Sequence, residues 1–232
     1  MDLLIILYFE SIITTMNKTI FVVFCLLFTS SCFADGLNDR LFRIQAKWEQ
    51  VHYTYPEEQR AAAFSPLLKV ATALAHEYPM RAEPLILQAS IMLTTAANEG
   101  PFTALSSVEK ARDLLVKAIA IDPTAKEGSA YVTLGVLYYK VPSWPIAFGD
   151  DAKAGKLLQM ALRISPNAVD SNYFYGDFLL TQGRVAEAAE YFSRAINAPA
   201  PHGISLGNAR LRQKAKQALE EIGRSTSVSS GT

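Results

Sequence analysis

Small residues recur in this chain at a long, fixed period, and no other feature constrains the fold as tightly. Ala161 and Ala195 lie 34 positions apart. The unit around the second of them runs Tyr175-Gly176, Ala188, Phe192, Ala195, with Pro199 and Pro201 beyond. The unit before it carries Leu134-Gly135, Ala154, Leu158, Ala161 and Pro166, and the one before that Ala89, Ala111, Leu115, Ala118 and Pro123. From Ala118 to Ala161 the interval is 43, the same period enlarged by an insertion. A Gly or Ala on one helix lets a second helix approach closely. Alanines seven apart on the second helix keep the interface thin, the Phe or Leu between them fills it, and a proline closes the unit. One such pair cannot bury its apolar face alone, so several must stack on a shared core.

The rest of the chain after the first 34 residues is written for helices. Helix formers dominate it, and no segment shows the sustained alternation of a strand. Nine helices are expected, near 37–54, 57–77, 82–97, 106–121, 125–140, 151–164, 168–181, 184–197 and 206–222. Ser106 with Glu109, and Thr124 with Glu127, have the spacing of capping boxes. Pro56 suits a first helical turn, and Gly183 and Gly223 suit helix ends that need a positive φ. The polar tail 225–232 is expected to be disordered. Leu211, Ala215, Leu219 and Ile222 would make the last helix a cap that seals the exposed end of the stack.

These residues resemble the tetratricopeptide repeat family. The resemblance is close over 169–201, good over 128–166 and partial over 82–123, with 37–79 as a degenerate first pair. It implies an all-α fold: a right-handed solenoid of stacked antiparallel helix pairs, about 37–79, 82–123, 125–166 and 168–201, with a closing helix at 206–222. The repeat domain would span 35–224. A looser resemblance is to the repeat lipoproteins associated with TRAP transporters. In the family the first helices of each pair line a concave groove. Carried over, the groove positions are Glu83, Ser90, Thr94, Ser129, Tyr139, Lys140, Asp170, Tyr173 and Asp177, a mixed polar and aromatic face suited to an extended peptide or a helix.

The first 34 residues form a separate segment. From Met16 the order is Met-Asn-Lys, an apolar stretch of ten, then small residues. That is the layout of an export signal, since a bilayer span needs ~20 apolar residues. Residues 1–15 fit it poorly, because Asp2 stands where a signal wants positive charge and Glu10 interrupts the apolar run, and a start at Met16 reads better. Two processing outcomes stay open: cleavage after Ala34, or lipidation of Cys32 in a lipobox-like Thr29-Ser30-Ser31-Cys32. Either places the protein outside a bacterial inner membrane, in the periplasm or as a periplasm-facing lipoprotein. The membrane is then reached only through a lipid anchor or an uncleaved leader.

Composition narrows the function without naming it. Half of the chain is apolar and 22 basic residues balance 22 acidic ones. Such a chain is neither disordered nor a nucleic-acid binder by bulk charge. Both cysteines, Cys25 and Cys32, fall in the leader, which leaves no thiol nucleophile in the mature part. His52, His76 and His202 share no helical face and are read as structural. No paired catalytic constellation or phosphate loop is present, and neither a cofactor nor a metal is expected. The insertion at 141–151 is the exception in character, with Trp144, Phe148, Asp150 and Asp151. Either its aromatics contact a ligand, or they fold back on the helices while Asp150 caps the next one. Two adjacent carboxylates lack the spaced oxygens that calcium needs. On the last helix Arg210, Arg212, Lys214 and Lys216 form a basic stripe, read as a solvated face. The expectation is a non-catalytic scaffold for a protein or peptide partner. The alternatives are an accessory component of a solute transporter, or an enzyme built on the insertion.

Overall fold

The computed structural model describes residues 36–97, 99–199 and 205–229. The leader, with Met16, Cys32 and Ala34, lies outside the described residues, as do Pro201, His202 and the last three positions of the chain. Two units divide the chain, one ending at Arg43 and one beginning at Ile44. A helix, α1, runs over 36–54. Its first turns belong to the first unit, where Asp39 and Arg43 pair at 3.0 Å. The second unit continues with α2 (Glu57–Glu77), α3 (Ala82–Ala96), α4 (Pro101–Ile121), α5 (Ala125–Lys140), α6 (Asp151–Ile164), α7 (Val169–Thr181), α8 (Val185–Asn197) and α9 (Leu206–Ser229). No named strand occurs among the described residues; a lone bridge joins Ser143 and Gly149 in the insertion.

The second unit is a stack of helix pairs. α3 packs on α4, α5 on α6 and α7 on α8, and short connections make each pair antiparallel. Along the stack α3 meets α5, α5 meets α7 and α7 meets α9, while α4, α6 and α8 do not meet one another. The layer whose members touch is the inner, concave one, because a curved stack brings one side together and spreads the other.

The periodic small residues sit where those pairs close. Ala89, Ala111, Ala118, Ala154, Ala161, Ala188, Phe192 and Ala195 are all buried. A Cβ on Gly135 would come within 2.7 Å of the Leu158 side chain, and one on Gly176 within 3.1 Å of the Phe192 ring. Glycine at these two places is what lets α5 and α7 approach α6 and α8. Phe192, fully enclosed, contributes ~1.5–3 kcal/mol by burial alone.

Several local expectations need correction. α4 begins at Pro101, not near 106, with the proline in the first turn after Gly100. Ser106 is therefore inside the helix and forms no capping box with Glu109. Thr124 makes no side-chain cap, and its hydroxyl donates instead to Asp122 at 2.8 Å. The chain then turns left-handed through Lys126, Glu127 and Gly128, at φ 49°, 58° and 78°. Two side chains held in that region cost on the order of 1–2 kcal/mol each. Pro56 is the residue before α2 rather than in its first turn. Gly183 does carry a positive φ, 73°. Gly223 does not end a helix, since α9 continues to Ser229 and makes helical the first part of the tail expected to be disordered.

Candidate functional site

The inner layer brings four of the expected groove residues into one cluster. The Tyr139 hydroxyl on α5 donates to Asp177 Oδ2 on α7 at 2.7 Å, and Lys140 Nζ lies 2.8 Å from the same oxygen. The Lys140 ammonium also sits 4.8 Å from the centre of the Tyr139 ring. The ring itself packs edge-on against Phe178. Burial, and then the Asp177 charge, holds the Tyr139 phenol far above its ordinary range. Tyr173, one turn before Asp177, rests against Phe174 and Phe192, and burial with the same carboxylate pushes its phenol up to about 12. Both phenols thus stay neutral beside a fixed carboxylate, to which Tyr139 donates.

The other expected positions are arranged differently. Glu83 is held by Arg81 through two hydrogen bonds, at 2.7 and 3.1 Å, and its carboxyl is depressed by that partner. The Ser90 hydroxyl turns back to the carbonyl of Ile86. Thr94 accepts the indole N–H of Trp48 at 3.0 Å. Ser129 Oγ is buried with no partner in the structure. Asp170, in the first turn of α7, accepts the N–H of its neighbour Ser171 at 2.8 Å, and is raised by burial. A cavity of about 350 Å³ beside it is lined by Glu127, Asn167, Asp170 and Asn208, among others.

Sequence reasoning missed the residues that reach the inner face from α1. Trp48 bonds to Thr94 on α3, and Gln45 Oε1 accepts from Lys126 Nζ at the start of α5, at 3.2 Å. Glu49 accepts the Leu206 N–H at 3.0 Å and the Ser205 hydroxyl at 3.3 Å, at the start of α9. Lys126, whose pKa is lowered by burial, is surrounded by the charges of Glu49, Glu83 and Asp170. The available signal was the stripe Gln45, Trp48, Glu49 and His52 on one face of α1. His52 stacks on Trp48 with ring centres 5.5 Å apart, and its Nδ1 is buried without a partner.

The insertion divides into a built base and an exposed tip. Phe148 packs edge-on against Tyr138, with the Arg112 guanidinium 4.6 Å from its ring centre. Asp150 caps α6 by accepting the Lys153 N–H at 2.9 Å, and Asp151 accepts from Gln182 at 2.9 Å. Trp144, in contrast, is 86% exposed. The basic stripe on α9 is not wholly a solvated face. Arg212 donates to the carbonyls of Ile196 and Ala198, each at 2.8 Å, and so satisfies the C-terminal end of α8. Among the described residues there is no group of three or more His, Cys, Asp or Glu side chains able to hold a metal, and no helix long and apolar enough to cross a membrane.

No family model and no curated protein matches the chain. Solved structures do. TTC0263, a thermophilic TPR protein of Thermus thermophilus, superposes with a TM-score of 0.54 at 19% identity, over 68% of this chain and 74% of that one. Two structures of MamA give 0.42 at 16% identity, over 76% of this chain and 96% and 91% of theirs. The likeness is one of fold: this is an all-α, right-handed solenoid of stacked antiparallel helix pairs, of the tetratricopeptide type, with α9 as the closing helix.

Proposed function

We propose that the chain is an exported, non-catalytic scaffold that takes a protein or peptide partner on its inner face. The observation that carries this is the cluster of Tyr139, Tyr173 and Asp177 on adjacent inner helices. Tyrosines supply contact area with few rotatable bonds, and a carboxylate fixed by two donors supplies direction. Inner helices that meet while the outer ones spread leave a concave surface, which suits an elongated ligand. Export follows from the leader after Met16, with a mature N-terminus at Asp35 or at lipidated Cys32. The fold by itself names no partner.

The test replaces Tyr139 and Tyr173 together by Ala and compares capture of partners with the parent chain at matched folded content, checked by circular dichroism. Reduced capture is expected. The same partners at the same yield would remove the inner face from consideration. N-terminal sequencing of native protein tests export separately, and a chain that begins at Met1 would contradict it.

A further inference from the structure

We infer that the inner face is a helix-binding groove whose resident ligand is the second half of α1, and that its external partner is an amphipathic helix bearing a similar aromatic and acidic stripe. This rests on the reading that the inner face is the working surface. Gln45, Trp48, Glu49 and His52 fall at i, i+3, i+4 and i+7, which places them on one side of a helix. Ile44 and Val51 are buried. The first three stripe residues each reach a different inner helix: Gln45 meets Lys126 on α5, Trp48 meets Thr94 on α3, and Glu49 meets Leu206 on α9. In the inner layer α5 and α9 are separated by α7. A helix that touches α3, α5 and α9 therefore lies across the concave face instead of adding one more member to the layer.

The contacts state what the groove recognises. α9 has no acidic residue in its own first turn, and Glu49 supplies the carboxylate that accepts the Leu206 N–H at the positive end of the helix. Lys126 presents a cation near Glu49. Thr94 accepts an indole N–H. An incoming helix with an indole and a carboxylate one residue apart would satisfy the same groups. Departure of α1 without such a replacement would leave the Leu206 N–H without its carboxylate and Thr94 with only its bond to the Ser90 carbonyl. Two residues, Tyr55 and Pro56, join α1 to α2. Rotation about that joint would uncover the groove with the pairs α3–α4, α5–α6 and α7–α8 intact. The resident helix lowers the apparent affinity for any competitor by the fraction of molecules in which the groove is open.

The probe is a fluorescein-labelled peptide of residues 44–56, titrated by anisotropy into the full chain and into full-chain Glu49→Ala and Trp48→Ala variants at matched folded content. The expected result is binding at least ~10-fold tighter to the variants, whose own helix holds the groove less firmly. Equal affinity for parent and variants, or no binding to any of them, would overturn the inference. Should the variants fail to fold, hydrogen exchange on the parent decides. The peptide in excess should strip protection from 44–54 while α3–α8 keep theirs, and unchanged protection in 44–54 counts against the proposal. A parent chain that captures partners through Tyr139 and Tyr173 yet ignores the peptide retains the scaffold reading and loses this one.

Discussion

Tyr139 and Asp177 are 38 positions apart in the chain, yet the phenol of the first donates to the carboxylate of the second at 2.7 Å and so ties α5 to α7. Most of what joins neighbouring pairs in a solenoid is apolar packing. A charge-assisted hydrogen bond between inner helices adds direction to that packing and fixes the spacing of the two side chains that the groove presents.

Removing one partner at a time separates the two roles. Tyr139→Phe deletes the donor but leaves Asp177 its ion pair with Lys140, so the loss should be ~1 kcal/mol. Asp177→Ala leaves the half-buried phenol without an acceptor and should cost more, about 1–3 kcal/mol. The Lys140 ion pair adds little to either figure, because that side chain is 51% exposed. Urea unfolding of the two variants gives the order. No measurable loss for either variant would show that the hydrogen bond does not hold the inner layer.

The glycines at the helix crossings offer a graded test of packing. A Cβ on Gly135 would lie 2.7 Å from Leu158 Cγ, deep in a fully buried side chain, and 3.4 Å from the Ala154 carbonyl. On Gly155 it would meet only the edge of the Phe178 ring, at 3.2 Å, where a small tilt gives room. Gly135→Ala should therefore destabilise by about 1–3 kcal/mol, and Gly155→Ala by less. Thermal melts of the pair check the ranking, and a reversed order would mean that α6 shifts away from α5 more freely than the packing implies.

Where sequence and structure agree, the reason is local chemistry. α2, α5 and α6 have the bounds expected, because Pro and Gly or a capping Asp punctuate them. The start of α4 differs from the expectation because Gly100-Pro101 reads as a turn as readily as a first-turn proline. The left-handed turn at Lys126–Gly128 is not legible, since only Gly128 has a residue type that favours it. Tyr139 and Asp177 can be assigned to one surface by their places in successive inner helices. Their contact cannot, because it depends on how far one pair slides along the next. The same holds for Glu49: a carboxylate on α1 carries no sign that it will meet the first N–H of a helix 157 positions away.

His52 makes stability depend on pH in a defined direction. Burial lowers its pKa first, and the nearby charges of Arg60 on α2 and Lys214 on α9 lower it further. The unfolded chain therefore holds the proton more readily than the folded one. The stability is fully present above the ordinary histidine value of ~6.5 and is lost as the pH falls from there toward the depressed folded value. The urea midpoint should drop between pH ~7.5 and ~5.5, above the range in which ordinary carboxylates titrate. His52→Gln should flatten that interval. A slope that survives the substitution would assign the effect to another group.

The insertion should respond differently at its base and at its tip. Phe148 packs on Tyr138 and under Arg112, so Phe148→Ala removes a ring that ties the loop to α5 and α4. Partial burial sets the loss below that of a core phenylalanine, at about 1–3 kcal/mol. Gly149 is more constrained still, because a Cβ there would come within 2.0 Å of the Val141 carbonyl oxygen, and backbone cannot yield as a side chain does. Gly149→Ala should therefore rebuild the loop and disturb the Asp150 N–H, which donates to the Tyr138 carbonyl at 2.8 Å. Trp144 lies on the other side of this division. At 86% exposure it contributes almost nothing to folding, and Trp144→Ala should leave the melting temperature of the isolated protein unchanged. Its emission should already be that of a solvated indole, quenched by iodide in the parent chain and absent from the variant. A marked drop in the melting temperature of Trp144→Ala would show that the indole packs against the helices in solution.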